Sequence, residues 1–405
     1  MTNSYFFDDI IDRRNTNCVK WDYVPRAGGV SATDETLPMW VADMDFQAPA
    51  VVIDRMRASV DHGIFGYTAL PNHTWDAVAS WTERRYAWPV KTEWMSYTAG
   101  VITGLNIAVQ TFTRPGEKII IQPPVYPPFH NSVLKNGRRL LYNELVQDED
   151  GTFRFDVEQL RSLIDSETRM LVLCNPHNPV GRSWNRDELE SIADVALEHD
   201  LLVFSDEIHA DLLLHEARHI PFASLGPEVA RRTITGIAPS KTFNIAGLKA
   251  SVIITPNKQL RDAFDAAQAR TFGLYDANIF AIVGMHAAYS EGEQWLETLL
   301  QYLQDNRDTA LSFFADVLPQ VRVPSPDATF LFWVDFSATG YTHDNVARLL
   351  REDAHVVLND GRSFGPGGEN HFRLNFGCPR SVLTSGLERI ADAFNRVPAN
   401  EGARR

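Results

Sequence analysis

The chain has 405 residues, 44% of them hydrophobic and 22% charged, which is an ordinary globular composition with material for a large core and two or three domains. Its formal net charge of −14 opposes nucleic acid and anionic membrane surfaces, so neither is expected as a partner. No run approaches the ~20 apolar residues that span a bilayer, and the opening "MTNSYFFDDIIDRR" has early acids and no apolar h-region, unlike a signal peptide.

The first stretch, to about residue 45, shows no sheet pattern and is expected to pack on a smaller C-terminal unit. "TAGVITGLN" (Thr98 to Asn106) reads as a glycine turn into a helix. "KIIIQ" (Lys118 to Gln122) is a short buried-strand pattern closed by Pro123 and Pro124, and "RRLLY" follows one helix-length later. "RMLVLC" (Arg169 to Cys174) is another such strand and runs into the turn-rich "NPHNPVG". In "NRDELESIADVALEHD", Leu189, Ile192, Ala193, Ala196 and Leu197 share one helical face, and Asn185 with Glu188 has the spacing of a capping box. "LLVFS" (Leu201 to Ser205), "TITGI" and "SVIIT" continue the strand series. Apolar strands alternating with amphipathic helices predict an α/β fold whose mostly parallel sheet is covered on both faces.

After about residue 285 the pattern changes. Glu293 to Leu318 reads as one long helix. "FLFWVDF" (Phe330 to Phe336) and "HFRLNF" (His371 to Phe376) read as strands, with the glycine-rich loop "FGPGGEN" before the second, and "LTSGLERIADAFNRV" as a final helix. The expected division is an N-terminal segment (1–45), a large domain (46–287) and a small α+β domain with its linker helix (288–405). Cys18, Cys174 and Cys378 are odd in number and lack CxxC spacing. They read as reduced thiols of a cytoplasmic protein, and no metal site is expected.

Ligands of open parallel sheets sit at the carboxyl ends of strands. Three strand ends here carry unusual polar residues: Asn178, Asp206, and Ser240 with Lys241. Polar groups converging from separate strands are what a binding site requires.

"NPHNPVG", "SDEIHAD" and "SKTFNIAGLK", in this order and with these gaps, resemble the pyridoxal-phosphate enzymes of the aspartate aminotransferase fold, fold type I. "LPMWVADMDF", "FGYTALP" and the histidine of "SDEIHAD" resemble a narrower branch, the aminotransferase-like cystathionine β-lyases or MalY/PatB group of C–S lyases. The resemblance covers nearly the whole chain. It implies pyridoxal 5′-phosphate as cofactor and an amino-acid substrate. The implied reaction is β-elimination at a C–S bond, with cystathionine giving homocysteine, pyruvate and ammonia. Transamination between an L-amino acid and a keto acid is the alternative, and a cofactor-binding regulator without turnover is the third reading.

Each residue carries its implied role beside a plainer one. Lys241 resembles the lysine that holds the cofactor covalently and later removes the Cα proton; alone it reads equally as a surface lysine. Asp206 resembles the carboxylate facing the pyridine nitrogen, against a helix N-cap. Asn178 and His209 resemble the pair beside the ring's 3-oxygen, against a turn residue and a satisfied core histidine; Asn178 also belongs to the expected substrate site. Tyr126, in "PPVYPPF", resembles the aromatic that stacks on the ring.

For the phosphate, the resemblance points to the N–H groups near Gly100, Val101 and Ile102 at a helix start, with Ser240 and Lys249. Here the chain departs from the common pattern: Ala238 stands where many relatives have Ser, and Lys249 where many have Arg, giving a charge without a bidentate fork. Tyr67 resembles a tyrosine that reaches the neighbouring subunit's phosphate and so implies a homodimer with shared active sites, against a core tyrosine of the same chain. Arg373 shares a strand face with Asn375, opposite Phe372, Leu374 and Phe376, and resembles the clamp on the substrate carboxylate, against a surface salt bridge. Trp40 and Val41 are expected to line the substrate pocket, against Trp40 as simple core.

Overall fold

The computed structural model describes residues 7–24, 35–148, 151–274 and 276–396. Residues 1–6 and 25–34 of the N-terminal segment and 397–405 of the C-terminal unit, which the sequence reading also covers, lie outside the described residues.

Seven strands form the main sheet: β1 (Met95–Thr98), β2 (Lys118–Ile121), β3 (Arg139–Tyr142), β4 (Thr168–Cys174), β5 (Leu202–Asp206), β6 (Thr233–Ile237) and β7 (Ser251–Ile254), in the order β1-β7-β6-β5-β4-β2-β3. The pairs β2–β3, β2–β4, β4–β5 and β5–β6 are parallel. Only β7 runs antiparallel, to both β6 and β1, so β1 points the same way as the other five. The continuous apolar runs have the expected cause: Met170, Leu171, Val172 and Leu173 are all fully buried, because helices cover both faces.

The helix Arg186–Glu198 starts on a capping box. The Asn185 side chain accepts the Glu188 N–H while the Glu188 carboxylate accepts the Asn185 N–H, both at 2.9 Å. Two glycines seat the helix Val101–Phe112 on the sheet. A Cβ at Gly104 would lie 2.4 Å from Ile253 Cδ1, and one at Gly236 would lie 2.6 Å from Val101 Cγ1. Only bare backbone lets this helix approach closely enough to bring its start to the strand ends.

A second, antiparallel sheet holds β8 (Leu331–Asp335), β9 (Asn359–Asp360) and β10 (His371–Asn375) in the order β8-β10-β9. Arg373 of β10 lies opposite both Trp333 and Asn359. The helices Glu293–Val317 and Arg380–Arg396 belong to this half of the chain. The N-terminal segment joins it through Leu37–Pro38, paired in parallel with Val356–Val357. One apolar cluster runs from Val252 and Ile254 of the main sheet through Trp295 and Leu299 to Leu374 and Leu387. Among the described residues, no helix is long and apolar enough to cross a membrane.

Candidate active site

A cavity of about 380 Å³ opens at the carboxyl ends of the main strands. Its wall is built from turns that follow five of them. β1 leads to Gly100 and the helix Val101–Phe112, and β2 leads to Tyr126. β4 leads to Asn178, β5 ends on Asp206, and β6 leads to the short helix Pro239–Thr242 that carries Ser240 and Lys241. His209 and Lys249 complete the lining.

Asp206 is buried, and among the described residues it has no ion-pair partner; its Oδ1 accepts the Ile208 N–H at 3.1 Å. Burial pushes its carboxyl up to about 7, although the Ile208 N–H and the Lys241 cation pull the other way. Lys241 moves in the opposite sense. Burial, then the Arg373 cation, lower its ammonium to about 8, opposed by Asp43 and Asp206. Its Nζ donates to the carbonyl of Ala42.

His209 is buried with Nδ1 unpartnered, and burial followed by the Lys241 and Arg373 cations holds the ring well below its ordinary value. The imidazole is therefore neutral and has hydrogen-bonding capacity to spare. Beside it, Asn178 is buried and its N–H points to Cys174 Sγ at 3.5 Å. Tyr126 is half-buried, and burial raises its phenol.

Arg373 is buried and has no carboxylate partner among the described residues. Nη1 donates to Asn178 Oδ1 at 3.0 Å, and Nη2 donates to Trp40 O at 2.8 Å and Asn359 Oδ1 at 2.6 Å. Nε has no partner. Desolvation lowers the group to about 10. A buried guanidinium held in place by neutral acceptors, with one N–H still free, is ready to receive an anion.

A second candidate anion site lies in the wall of the cavity itself. Gly100 takes φ +145°, a conformation L side chains rarely adopt, and the helix it opens has no side-chain cap. Its first-turn residues Val101, Ile102 and Thr103 face the cavity together with Ser240 and Lys249. Uncapped N–H groups beside a lysine and a hydroxyl suit a phosphate. These residues fit a planar, phosphorylated, nitrogen-containing aromatic: an anion cup, a buried carboxylate, an unpartnered imidazole nitrogen and an accessible lysine in one cavity.

Three expected site residues sit elsewhere. The Trp40 indole lines a separate cavity of about 510 Å³ with Phe372 and Leu350, and its Nε1 donates to Lys20 O. Trp40 and Val41 reach the site region by backbone: Trp40 O accepts from Arg373 and Val41 O from Asn375. Tyr67 is fully exposed, next to exposed Ile64 and Phe65. Sequence reading missed Asn359, Asn244 and the carbonyl of Ala42. "LPMWVADMDF" was the available signal, but the acceptors in it are main-chain atoms, which no side chain announces.

A model of the family described as "Aminotransferase class I and II" matches residues 41–390. The cystathionine β-lyase PatB of Bacillus subtilis (strain 168) is 44% identical over 390 residues, covering 96% of this chain and 100% of that one. The protein MalY of Escherichia coli (strain K12) is 31% identical over 397 residues, with 96% and 99% covered. The crystal structure of cystalysin from Treponema denticola, which contains pyridoxal 5′-phosphate, superposes with a TM-score of 0.93 at 34% identity, covering 97% of this chain and 99% of that one.

Proposed function

The chain belongs to the class I and II aminotransferase family, and on that premise we propose that it is a pyridoxal-phosphate-dependent carbon–sulfur lyase that cleaves sulfur-containing amino acids such as cystathionine. The balance is R–S–CH2–CH(NH3+)–COO− plus water giving R–SH, pyruvate and ammonium. PatB, 44% identical over nearly the full length, is named for this reaction. The structural observation that carries the reading is the pairing of two unsatisfied groups around one lysine. Among the described residues, Asp206 is buried without an ion-pair partner and Arg373 is buried without a carboxylate partner. Lys241, which both perturb, lines the same cavity as Asp206.

When bound, the cofactor supplies an electron sink that lets the substrate's Cα give up its proton. Lys241 is the residue that would hold it. Asp206 would stand at its ring nitrogen and favour the protonated ring. Asn178 and the neutral His209 would serve the ring oxygen, and Tyr126 would offer its face to the ring. The N–H groups of Gly100, Val101 and Ile102, with Ser240 and Lys249, would receive the phosphate. Arg373 takes the substrate carboxylate. Lys241 would also be the group that moves the substrate's Cα proton; an amine lowered to about 8 keeps a useful fraction of free base near neutrality. The thiolate then leaves from Cβ.

The working unit in this reading is a homodimer acting in the cytoplasm. Tyr67, with no place in its own chain's cavity and exposed beside Ile64 and Phe65, reaches the partner's phosphate site; the exposed apolar cluster supports this. Turnover of L-cystathionine without any keto acid, followed as pyruvate and free thiol, tests the reaction. Release of neither would put the substrate class aside and leave the family standing.

A further inference from the structure

Residues 39–46 form a bent strap outside any strand or helix, and its successive carbonyls serve the site. Met39 O accepts the Asn375 N–H at 2.9 Å, Trp40 O accepts from Arg373, Val41 O accepts from the Asn375 amide at 2.6 Å, and Ala42 O accepts from Lys241. The strap thus touches the carboxylate clamp and the proton carrier two residues apart. Those cations come from different sheets: Arg373 from β10, Lys241 from the turn after β6.

Two asparagines tie this strap down, one beside each cation. Asn375, two residues after Arg373, is buried; its Nδ2 donates to Val41 O and Asp43 O, both at 2.6 Å, and its Oδ1 accepts the Gly377 N–H at 2.7 Å. Asn244, three residues after Lys241, donates Nδ2 to Met44 O at 2.8 Å and Phe46 O at 2.7 Å and accepts the Met44 N–H at 3.0 Å. Each amide satisfies strap groups that would otherwise lose their partners on leaving water. Asn244 sits at φ +54°, a left-handed conformation that asparagine tolerates. On the outer side, Arg13 and Lys20 grip Asp45, and Arg13 also pairs with Asp43.

We infer that Asn244 and Asn375 are positioning residues: by suturing the strap 39–46 to both sheets they fix the carbonyls that hold Lys241 at the cavity and Arg373 against Asn178 in its wall. Their reach differs: Asn375 holds Val41 and Asp43, which flank both Ala42 and the Trp40 end of the strap, whereas Asn244 holds only Met44 and Phe46 on the far side of Ala42. Loosening either side slackens Ala42 and lets water reach Lys241, whose other charged neighbours are Arg373, Asp43, Asp206 and Lys249. Loosening the Asn375 side frees Trp40 O and leaves Arg373 less defined.

The test uses Asn244→Gly, which keeps the positive φ without strain and removes only the amide, and Asn375→Ser. In cofactor-free protein, competitive acetylation across pH with peptide mass mapping gives the midpoint of Lys241. It is expected to rise by about one unit in N244G as desolvation is relieved. In the loaded enzyme, N244G lowers kcat about 10-fold with little change in KM, while N375S, which slackens both contacts, lowers kcat and also raises KM about 10-fold. The kinetic arm rests on the lyase reading; the acetylation arm does not. If wild type fails to turn over cystathionine but the Lys241 midpoint still shifts in N244G, the strap assignment stands and the lyase reading falls. An unchanged midpoint in N244G, or variants that lose only thermal stability with both kinetic constants intact, overturns the inference. Should N244G not yield folded protein, an unchanged KM in N375S overturns it as well.

Discussion

Asp206 and Lys241 face one cavity, and their titrations are pushed toward each other, the acid up to about 7 and the amine down to about 8. Burial is the largest cause in both. Each group is costly to charge in the cofactor-free protein, and in the proposed reading each would gain a partner from the cofactor, Asp206 at the ring nitrogen and Lys241 at the aldehyde. The site stores this cost until the cofactor relieves it.

The Asp206 half of that statement has a measurable sign. A carboxyl raised from its unfolded value near 4 to about 7 binds its proton more tightly in the folded state. Its contribution is fully present below pH 4 and is lost as pH rises through 7. Asp206→Asn is therefore expected to stabilise cofactor-free protein at pH 8 by on the order of a few kcal/mol, and to do almost nothing at pH 4. Denaturant unfolding at the two pH values checks this; equal effects at both would contradict it. In the loaded enzyme the same substitution should lower kcat by roughly 100-fold or more.

Arg373 is fixed by Asn178, Trp40 and Asn359 through neutral bonds only. Arg373→Lys keeps the charge and loses the fork. The expected result is KM raised about 10- to 100-fold, as one charge-assisted hydrogen bond is lost. Steady-state kinetics on L-cystathionine reads it, and an unchanged KM would mean that another group holds the carboxylate.

Lys249 takes φ +58° at the end of a short turn and lines the same cavity as the uncapped start of the helix Val101–Phe112. Lys249→Ala should weaken cofactor binding about 10- to 100-fold and flatten its dependence on salt, whereas kcat at saturating cofactor changes little. Equilibrium dialysis against pyridoxal 5′-phosphate at two ionic strengths measures both.

Tyr67 is fully exposed in the single chain. Tyr67→Phe should therefore leave the unfolding midpoint of dilute, cofactor-free protein unchanged and raise the cofactor's Kd about 10-fold or less, as one hydrogen bond is removed. A Kd equal to wild type would remove the shared-site reading.

Much of the architecture was legible because its signals are local. The strand series from Lys118 to Ile254, the Asn185–Glu188 capping box and the long helix from Glu293 each follow from periodicity or a four-residue motif. The site residues at strand ends were legible for a related reason: polar groups stand out after apolar runs. The strap was not. Its bonds join Trp40 to Arg373 and Met44 to Asn244, segments 333 and 200 residues apart, and the acceptors are backbone carbonyls. The quoted motif drew attention to the Trp40 indole, which turned out to line a different cavity. The fully exposed Tyr67 had a single-chain reading as core, and the structure removes that alternative.

The most direct measurement is a turnover count: purified holoenzyme with excess L-cystathionine, no added keto acid, and pyruvate and free thiol quantified against active sites. The account predicts equal amounts of both products, accumulating far beyond one equivalent per site, and their loss in Lys241→Ala. A reaction that stops after one equivalent of a keto acid other than pyruvate, and resumes only when a keto acid is added, would contradict it and assign the site to transamination.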